Sequence, residues 1–260
     1  MSTPEFTRDD YNALRTVFSC IDNTTLEGND TRQRVEELCY SSLNMVDEKR
    51  GIGPVAAVCV YPVFVRQACQ LLKGSGIRVA SVAGAFPSGQ SPLPVKLAEV
   101  QYAIDEGADE IDMVISRGVL IEGNENYVFD EISSIRHCCQ EKTLKVILET
   151  GELLSSSLVL KASEIAINAG ADFIKTSTGK IAVSATPEAS RVMLETIRTH
   201  HEKTGKWVGF KAAGGISTLE QALLYYNLTA SIVGEKQINN QFFRIGSSRL
   251  PHRLFSFLTQ

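Results

Sequence analysis

The sequence contains no apolar run long enough for a membrane. Its longest, Val55 to Val65, is interrupted by Pro62, and a spanning helix needs about 20 apolar residues. The opening stretch MSTPEFTRDDYNALR lacks the apolar segment of a secretory leader, so the cytoplasm is the expected location. Cysteine is sparse and carries no CxxC spacing: Cys20, Cys39, Cys59, Cys69, Cys138 and Cys139. In a chain of this size they are expected as reduced thiols rather than a disulfide framework. No block of like charge is present. The net charge is −4 with acids and bases mixed throughout, so neither nucleic acid nor a membrane surface is an expected partner. Histidine is scarce as well. His137, His200, His201 and His252 fall in predicted helices or connections, which argues against a metal site and against a histidine-based hydrolase.

What is present is an alternation of short apolar strands and amphipathic helices from end to end. The spacing predicts strands over Val17–Asp22, Val55–Tyr61, Ile77–Val82, Glu110–Ile115, Leu144–Glu149, Phe173–Thr176, Trp207–Lys211 and Phe242–Gly246. Between and after them it predicts helices over Thr31–Asn44, Val63–Lys73, Pro94–Glu106, Asn126–Glu141, Ser157–Ala169, Pro187–Lys203, Leu219–Tyr226 and Ser248–Leu258. Continuous apolar strands separated by helices imply a parallel sheet covered on both sides. Eight such units in 260 residues favour an α/β fold of one domain over 1–260, a (β/α)₈ TIM barrel with an N-terminal helical extension.

Two lysines end apolar strands in this pattern. Lys175 closes Ala171-Asp172-Phe173-Ile174-Lys175, and Lys211 closes Trp207-Val208-Gly209-Phe210-Lys211. A buried ammonium is costly unless paired, and its usual response is a lowered pKa. A neutral amine is a nucleophile toward carbonyls, so the pair points to Schiff-base chemistry. An internal repeat adds an acid: AIDEGADEIDMV aligns with AINAGADFIKTS, pairing Asp112 with Lys175 two βα units apart. Alternate barrel strands feed the same interior layer, so Asp112 and Lys175 are expected inside the barrel at one height, with Lys211 in the neighbouring layer. Spacing does not choose between Lys175 and Lys211 as the imine-forming group. The aligned Asp109 and Asp172 read as structural residues at strand starts.

A second signal suits a phosphate. Gly214-Gly215 follows the seventh strand, and Gly246-Ser247-Ser248 opens the last helix; backbone amides at such turns and helix starts favour anions. Thr178, Gly179 and Lys180 offer further donors. Several residues also have plainer readings. Asp22 can cap a turn with Thr24 or Thr25, Cys59 can be a packed thiol, and Gly214-Gly215 can be a tight turn. Glu149 fits either a partner of Lys211 or a rim position, and His137-Cys138-Cys139 do not face one point on a helix.

In order along the chain, CIDNTTL, AAVCVYP, GADEIDMV, LKVILETGEL, AGADFIKTSTGK, ATPE, VGFKAAGGI and RIGSS resemble the deoxyribose-phosphate aldolase family, class I aldolases on a (β/α)₈ barrel. The resemblance implies reversible cleavage of 2-deoxy-D-ribose 5-phosphate to D-glyceraldehyde 3-phosphate and acetaldehyde, without metal or organic cofactor. It implies Lys175 as the Schiff-base lysine, Lys211 as the lysine that tunes it, and Asp112 in the proton relay. Asp22, Thr24 and Cys59 then belong near the substrate, and Thr178, Gly179, Lys180, Gly214, Gly215, Ser247 and Ser248 to substrate or phosphate binding. The expected partner is a small phosphorylated sugar, with a homodimer possible. Three departures stand out. Ala212 replaces a frequent proline, Ser217 stands where some relatives carry arginine, and no tyrosine ends this sequence. A different phosphorylated sugar, or a silent phosphate-binding barrel, are the competing readings.

Overall fold

A computed structural model describes residues 6–260. Eight parallel strands form one closed barrel in sequence order: β1 Ile21–Thr24, β2 Ala57–Val60, β3 Arg78–Ala83, β4 Glu110–Val114, β5 Thr143–Ile147, β6 Phe173–Lys175, β7 Gly209–Ala213 and β8 Phe243–Ser247. The helices are α1 Arg8–Ser19, α2 Arg32–Asn44, α3 Val65–Leu71, α4 Leu93–Asp105, α5 Arg117–Ile121, α6 Glu125–Cys139, α7 Ser156–Asn168, α8 Pro187–Thr204, α9 Leu219–Val233 and α10 Leu250–Leu258. The barrel is therefore the (β/α)₈ fold, with α1 added before the first strand. Among the described residues no helix is long and apolar enough to cross a membrane, and none of the six cysteines is bonded to another.

The helices start where the side chains satisfy the first free amides. Thr31, Ser155, Thr186 and Thr218 each accept a bond from the third residue of the helix that follows. The repeat noted in the sequence is a structural one. Gly107 and Gly170, at φ of 105° and 96°, each end a helix in a left-handed turn. The following residue bonds back five positions, Ala108 to Ala103 at 3.0 Å and Ala171 to Ala166 at 3.1 Å. Asp109 then accepts the Val79 amide at 2.9 Å, and Asp172 accepts the Leu144 amide at 2.8 Å. Both aspartates fasten neighbouring strands where those strands begin, far along the chain direction from the site.

Some expected boundaries move. Val17 and Phe18 belong to α1, not to the first strand. Thr7 and Asp10 form a capping box that starts this helix, and Ala13, Leu14, Val17 and Phe18 make its buried face. Trp207 lies before β7 and stacks on His201, with ring centroids 3.8 Å apart. Strand β7 consequently runs on to Ala213, and Lys211 sits in its middle rather than at its end. Helix α9 continues to Val233, past the predicted end at Tyr226.

Candidate active site

Lys175 and Lys211 are direct neighbours on the β6–β7 ladder, and Asp112 and Lys145 are direct neighbours on β4–β5. The barrel's curvature turns all four inward. Lys175 Nζ donates to Asp112 Oδ2 at 2.7 Å, and Lys211 Nζ donates to the same oxygen at 2.6 Å. Lys145 Nζ donates to Asp112 Oδ1 at 2.7 Å. The staggering expected for Lys211 does not separate it from the pair; all three amines meet at one carboxylate.

The network extends below them. Lys211 also donates to Asp22. Arg244 bonds Asp22 Oδ1 at 2.6 Å and Glu110 Oε1 at 2.8 Å, and Lys145 lies 2.5 Å from Glu110 Oε2. Lys145, Lys211, Asp22, Glu110 and Asp112 have no solvent exposure, and Arg244 is 1% exposed. Gly246 leaves room for this packing: a methyl there would come within 3.2 Å of Lys211 Cε. The remaining barrel lining differs in kind. Leu26, Cys59, Val82, Phe86, Val114 and Ile147 form a small apolar cluster, with Tyr61 against it.

Charge counting assigns the amines different states. Asp22, Glu110 and Asp112 supply three carboxylates, which Lys145, Lys211 and Arg244 already balance. Lys175 is a fourth buried cation whose one carboxylate is shared with two others. A net buried charge is unfavourable in a medium of low dielectric, and a lysine can remove it by losing its proton. Accordingly, burial lowers the Lys175 pKa and the neighbouring Lys211 ammonium adds to this, against the opposing pull of Asp112. Burial also works against charge on Lys211, but Asp112 and Asp22 together outweigh it and hold that pKa up. Lys145 is likewise held charged, against the cost of burial, by Asp112, Glu110 and Asp22. For Asp112, burial favours the neutral acid, yet Lys145, Lys175 and Lys211 prevail and keep its carboxyl well below the usual range.

A cavity of about 590 Å³ opens above this network at the C-terminal ends of the strands. Lys175 lines it; Lys211, Lys145 and Asp112 do not. Of the candidate binding residues, Thr24, Thr178, Gly179, Lys180, Gly214, Gly215, Ser247 and Ser248 line the cavity, whereas Asp22 and Cys59 lie outside it. Asp22 is committed to Lys211 and Arg244 beneath the floor. Cys59 is in the apolar cluster, where burial pushes its thiol up to about 11. Glu149 is not a partner of Lys211. It accepts bonds from the Thr178 amide, at 3.2 Å, and the Thr178 hydroxyl, in a left-handed backbone conformation at φ 56°. Thr178 thus spends its hydroxyl proton on tying the loop after β6 to the loop after β5. Ser247 does the same, donating to the Ile216 carbonyl at 2.7 Å.

The loops after β6 and β7 approach closely. Gly179, Gly214 and Gly215 have φ of 77°, 88° and 80°, and a methyl on Gly214 would come within 2.4 Å of Ser184 and 3.1 Å of Gly179. Such a turn requires glycine, and all three glycines line the cavity. Thr176 staples the strands that carry the two lysines, its hydroxyl accepting the Ala213 amide at 3.0 Å.

Residues of the site not picked out from sequence include Glu110, Lys145 and Arg244 in the buried network and Arg34 and Arg249 at the mouth. Glu110 had a visible signal, since it lies two residues before Asp112 on one strand and so faces the same side. Among the described residues no group of three His, Cys, Asp or Glu is placed to hold a metal ion.

A closed (β/α)₈ barrel with a buried amine lining a cavity at its C-terminal face defines a barrel enzyme. Residues 16–234 match the family described as DeoC/LacD family aldolase, and the chain belongs to that family. Among its relatives, the deoxyribose-phosphate aldolase of Bos taurus is 46% identical over 250 residues, covering 91% of this chain and 78% of the relative. The deoxyribose-phosphate aldolase of Homo sapiens is 45% identical over 243 residues, 88% of this chain and 76% of the relative. Among solved structures, an aldolase called QR15 superposes with a TM-score of 0.75 at 30% identity, covering 94% of this chain and 96% of its own. A tetrameric deoxyribose phosphate aldolase from Aeropyrum pernix superposes at 0.71 with 25% identity, covering 98% and 99%.

Proposed function

We propose that this aldolase cleaves 2-deoxy-D-ribose 5-phosphate through a Schiff base on Lys175. The observation that carries this reading is the placement of one amine. Lys175 alone of the barrel's buried lysines reaches the cavity, and it is the one whose protonated form is disfavoured. Its sharing of Asp112 with Lys211 supports the division of roles between the two.

The Lys175 amine attacks the C1 aldehyde, and loss of water gives an iminium. Removal of the proton from the C3 hydroxyl breaks the C2–C3 bond; the bonding electrons pass into the iminium and form an enamine. D-Glyceraldehyde 3-phosphate departs as the aldehyde made at C3. The enamine takes a proton at C2, and water releases acetaldehyde and the free amine. Asp112 accepts bonds from three lysine amino groups, two of them held as ammonium ions, and is a weak base at rest, so it serves to orient Lys175 and to hand protons between the amines and water. Lys211, kept charged, opposes protonation of its neighbour. The loops carrying Gly179, Gly214, Gly215 and Ser248 bind the phosphate through backbone amides.

Reductive trapping tests the assignment. With acetaldehyde and borohydride, mass spectrometry of the digested protein is expected to find an ethyl group on Lys175. An adduct confined to Lys211 reverses the roles, and the absence of any lysine adduct rejects the Schiff base. Faster cleavage of a ketose phosphate than of deoxyribose phosphate would reassign the substrate while keeping the mechanism.

A further inference from the structure

The mouth of the cavity carries two arginines and a lysine besides Lys175, namely Arg34, Arg249 and Lys180, with His252 beside them bonded to Ser41. Two are matched with acids. Lys180 Nζ lies 2.9 Å from Glu27, and Arg34 Nε lies 3.3 Å from Asp30. Arg249 is different. It is exposed, and among the described residues its guanidinium has no carboxylate within 4.0 Å and no hydrogen-bond partner.

The backbone of Arg249 is nevertheless fixed. Its amide donates to Ser247 Oγ at 3.3 Å, the Leu250 amide donates to the same oxygen at 3.1 Å, and that hydroxyl donates to the Ile216 carbonyl at 2.7 Å. The residue before α10 is thereby tied to the loop after β7, which carries Gly214 and Gly215. That loop brings little positive character of its own. At the start of α9, Gln221 Oε1 takes the amides of Ser217 and Thr218 at 2.8 and 3.1 Å. Arg253, which does not line the cavity, spends a guanidinium N–H on the Ser217 carbonyl at 2.9 Å. The glycine amides can bind an anion's oxygens, but a phosphate dianion is far better held with a guanidinium, whose paired N–H groups match two of its oxygens.

We infer that Arg249 is a specificity-determining residue of this aldolase, its guanidinium holding the substrate's phosphate and selecting phosphorylated sugar aldehydes over free ones. The inference rests on the reading of the cavity given under the proposed function. An exposed, unpartnered side chain on a fixed backbone suits this task, since its guanidinium N–H groups remain free for the anion.

Arg249→Gln and Arg249→Lys test it, with the sugar phosphate and the free sugar as paired substrates. Arg249→Gln is expected to raise KM for 2-deoxy-D-ribose 5-phosphate roughly 10- to 100-fold with kcat little changed. The same variant leaves kcat/KM for unphosphorylated 2-deoxy-D-ribose as it was. Arg249→Lys recovers part of the loss, because it restores charge without the paired donors. Equal losses on both sugars, or none on the phosphate, overturn the inference. Calorimetric titration with inorganic phosphate gives a separate answer: binding weakens in Arg249→Gln if the inference holds and is unaltered if it fails. Should the wild-type protein cleave neither sugar, the substrate reading falls, and the phosphate titration still decides the role of Arg249.

Discussion

Lys175→Met is expected to lower deoxyribose 5-phosphate cleavage by roughly four orders of magnitude, the scale seen when a covalent nucleophile is lost. Among the described residues no other buried amine lines the cavity to replace it, because Lys211 and Lys145 lie outside the cavity and are held as ammonium ions, and Lys180 sits at the mouth against Glu27. The second half of the expectation is about stability. Methionine keeps most of the side-chain volume and deletes the one buried amine whose charge the carboxylates do not need. The melting temperature should therefore hold or rise, since Asp112 keeps Lys145 and Lys211 as charged partners and an apolar side chain of similar size fills the space. Lys211→Met, in contrast, should cost about 3–5 kcal/mol, because Asp22 and Asp112 both lose a buried partner. Denaturant unfolding of the two variants separates the cases. A Lys175→Met protein that retains activity, or one destabilised as much as Lys211→Met, contradicts the division between a working amine and a fixed ammonium.

The second large effect belongs to Asp112→Asn. This change is nearly isosteric, yet it removes the one carboxylate that, among the described residues, Lys145, Lys175 and Lys211 all share. Activity should fall severely through loss of orientation and of the proton path. Stability should fall by about 3–5 kcal/mol, as when one member of a buried ionic group is removed. The pH dependence has a definite sign. The Asp112 pKa in the fold lies well below its ordinary value, so the unfolded chain binds more protons in acid. The carboxylate's stabilisation is complete above roughly pH 4, the unfolded value, and is lost as pH falls toward the folded one. Asp112→Asn lacks that component. Between neutral pH and acid its unfolding free energy should decline less steeply than that of the wild type. Parallel acid limbs would show that Asp112 does not carry the charge in the native state.

Which parts of the site can be read from sequence follows from the physics of strands. Glycine-stopped helices and period-two burial are local, so the repeat exposed Asp112 and Lys175 as equivalents. Which residue lies opposite on the next strand is not local. Lys145 faces Asp112, and Lys211 faces Lys175, through registers set by barrel closure, and no spacing along the chain reports them. Arg244 was hidden for a related reason: it follows Phe243 in β8, and only the closing β8–β1 pair brings it to Asp22. Asp22 and Cys59, placed near the substrate by resemblance, do not line the cavity and sit beneath and beside it. Asp22 is held by two cations, and Cys59 is held in the apolar cluster. The first strand was displaced because Val17 and Phe18 satisfy helix and strand patterns alike. The Thr7–Asp10 capping box, which decides between them, lies well upstream.

The most direct test of the account is the pH dependence of Lys175 modification. Reductive alkylation by acetaldehyde, followed at that one residue by mass spectrometry from pH 6 to pH 11, reports the fraction of neutral amine. The account predicts a midpoint clearly below the ordinary lysine value of roughly 10.4, with substantial labelling below pH 9. A midpoint at or above the ordinary value would mean that Lys175 rests as an ammonium ion like its neighbours, and the charge balance drawn for the barrel interior would be wrong.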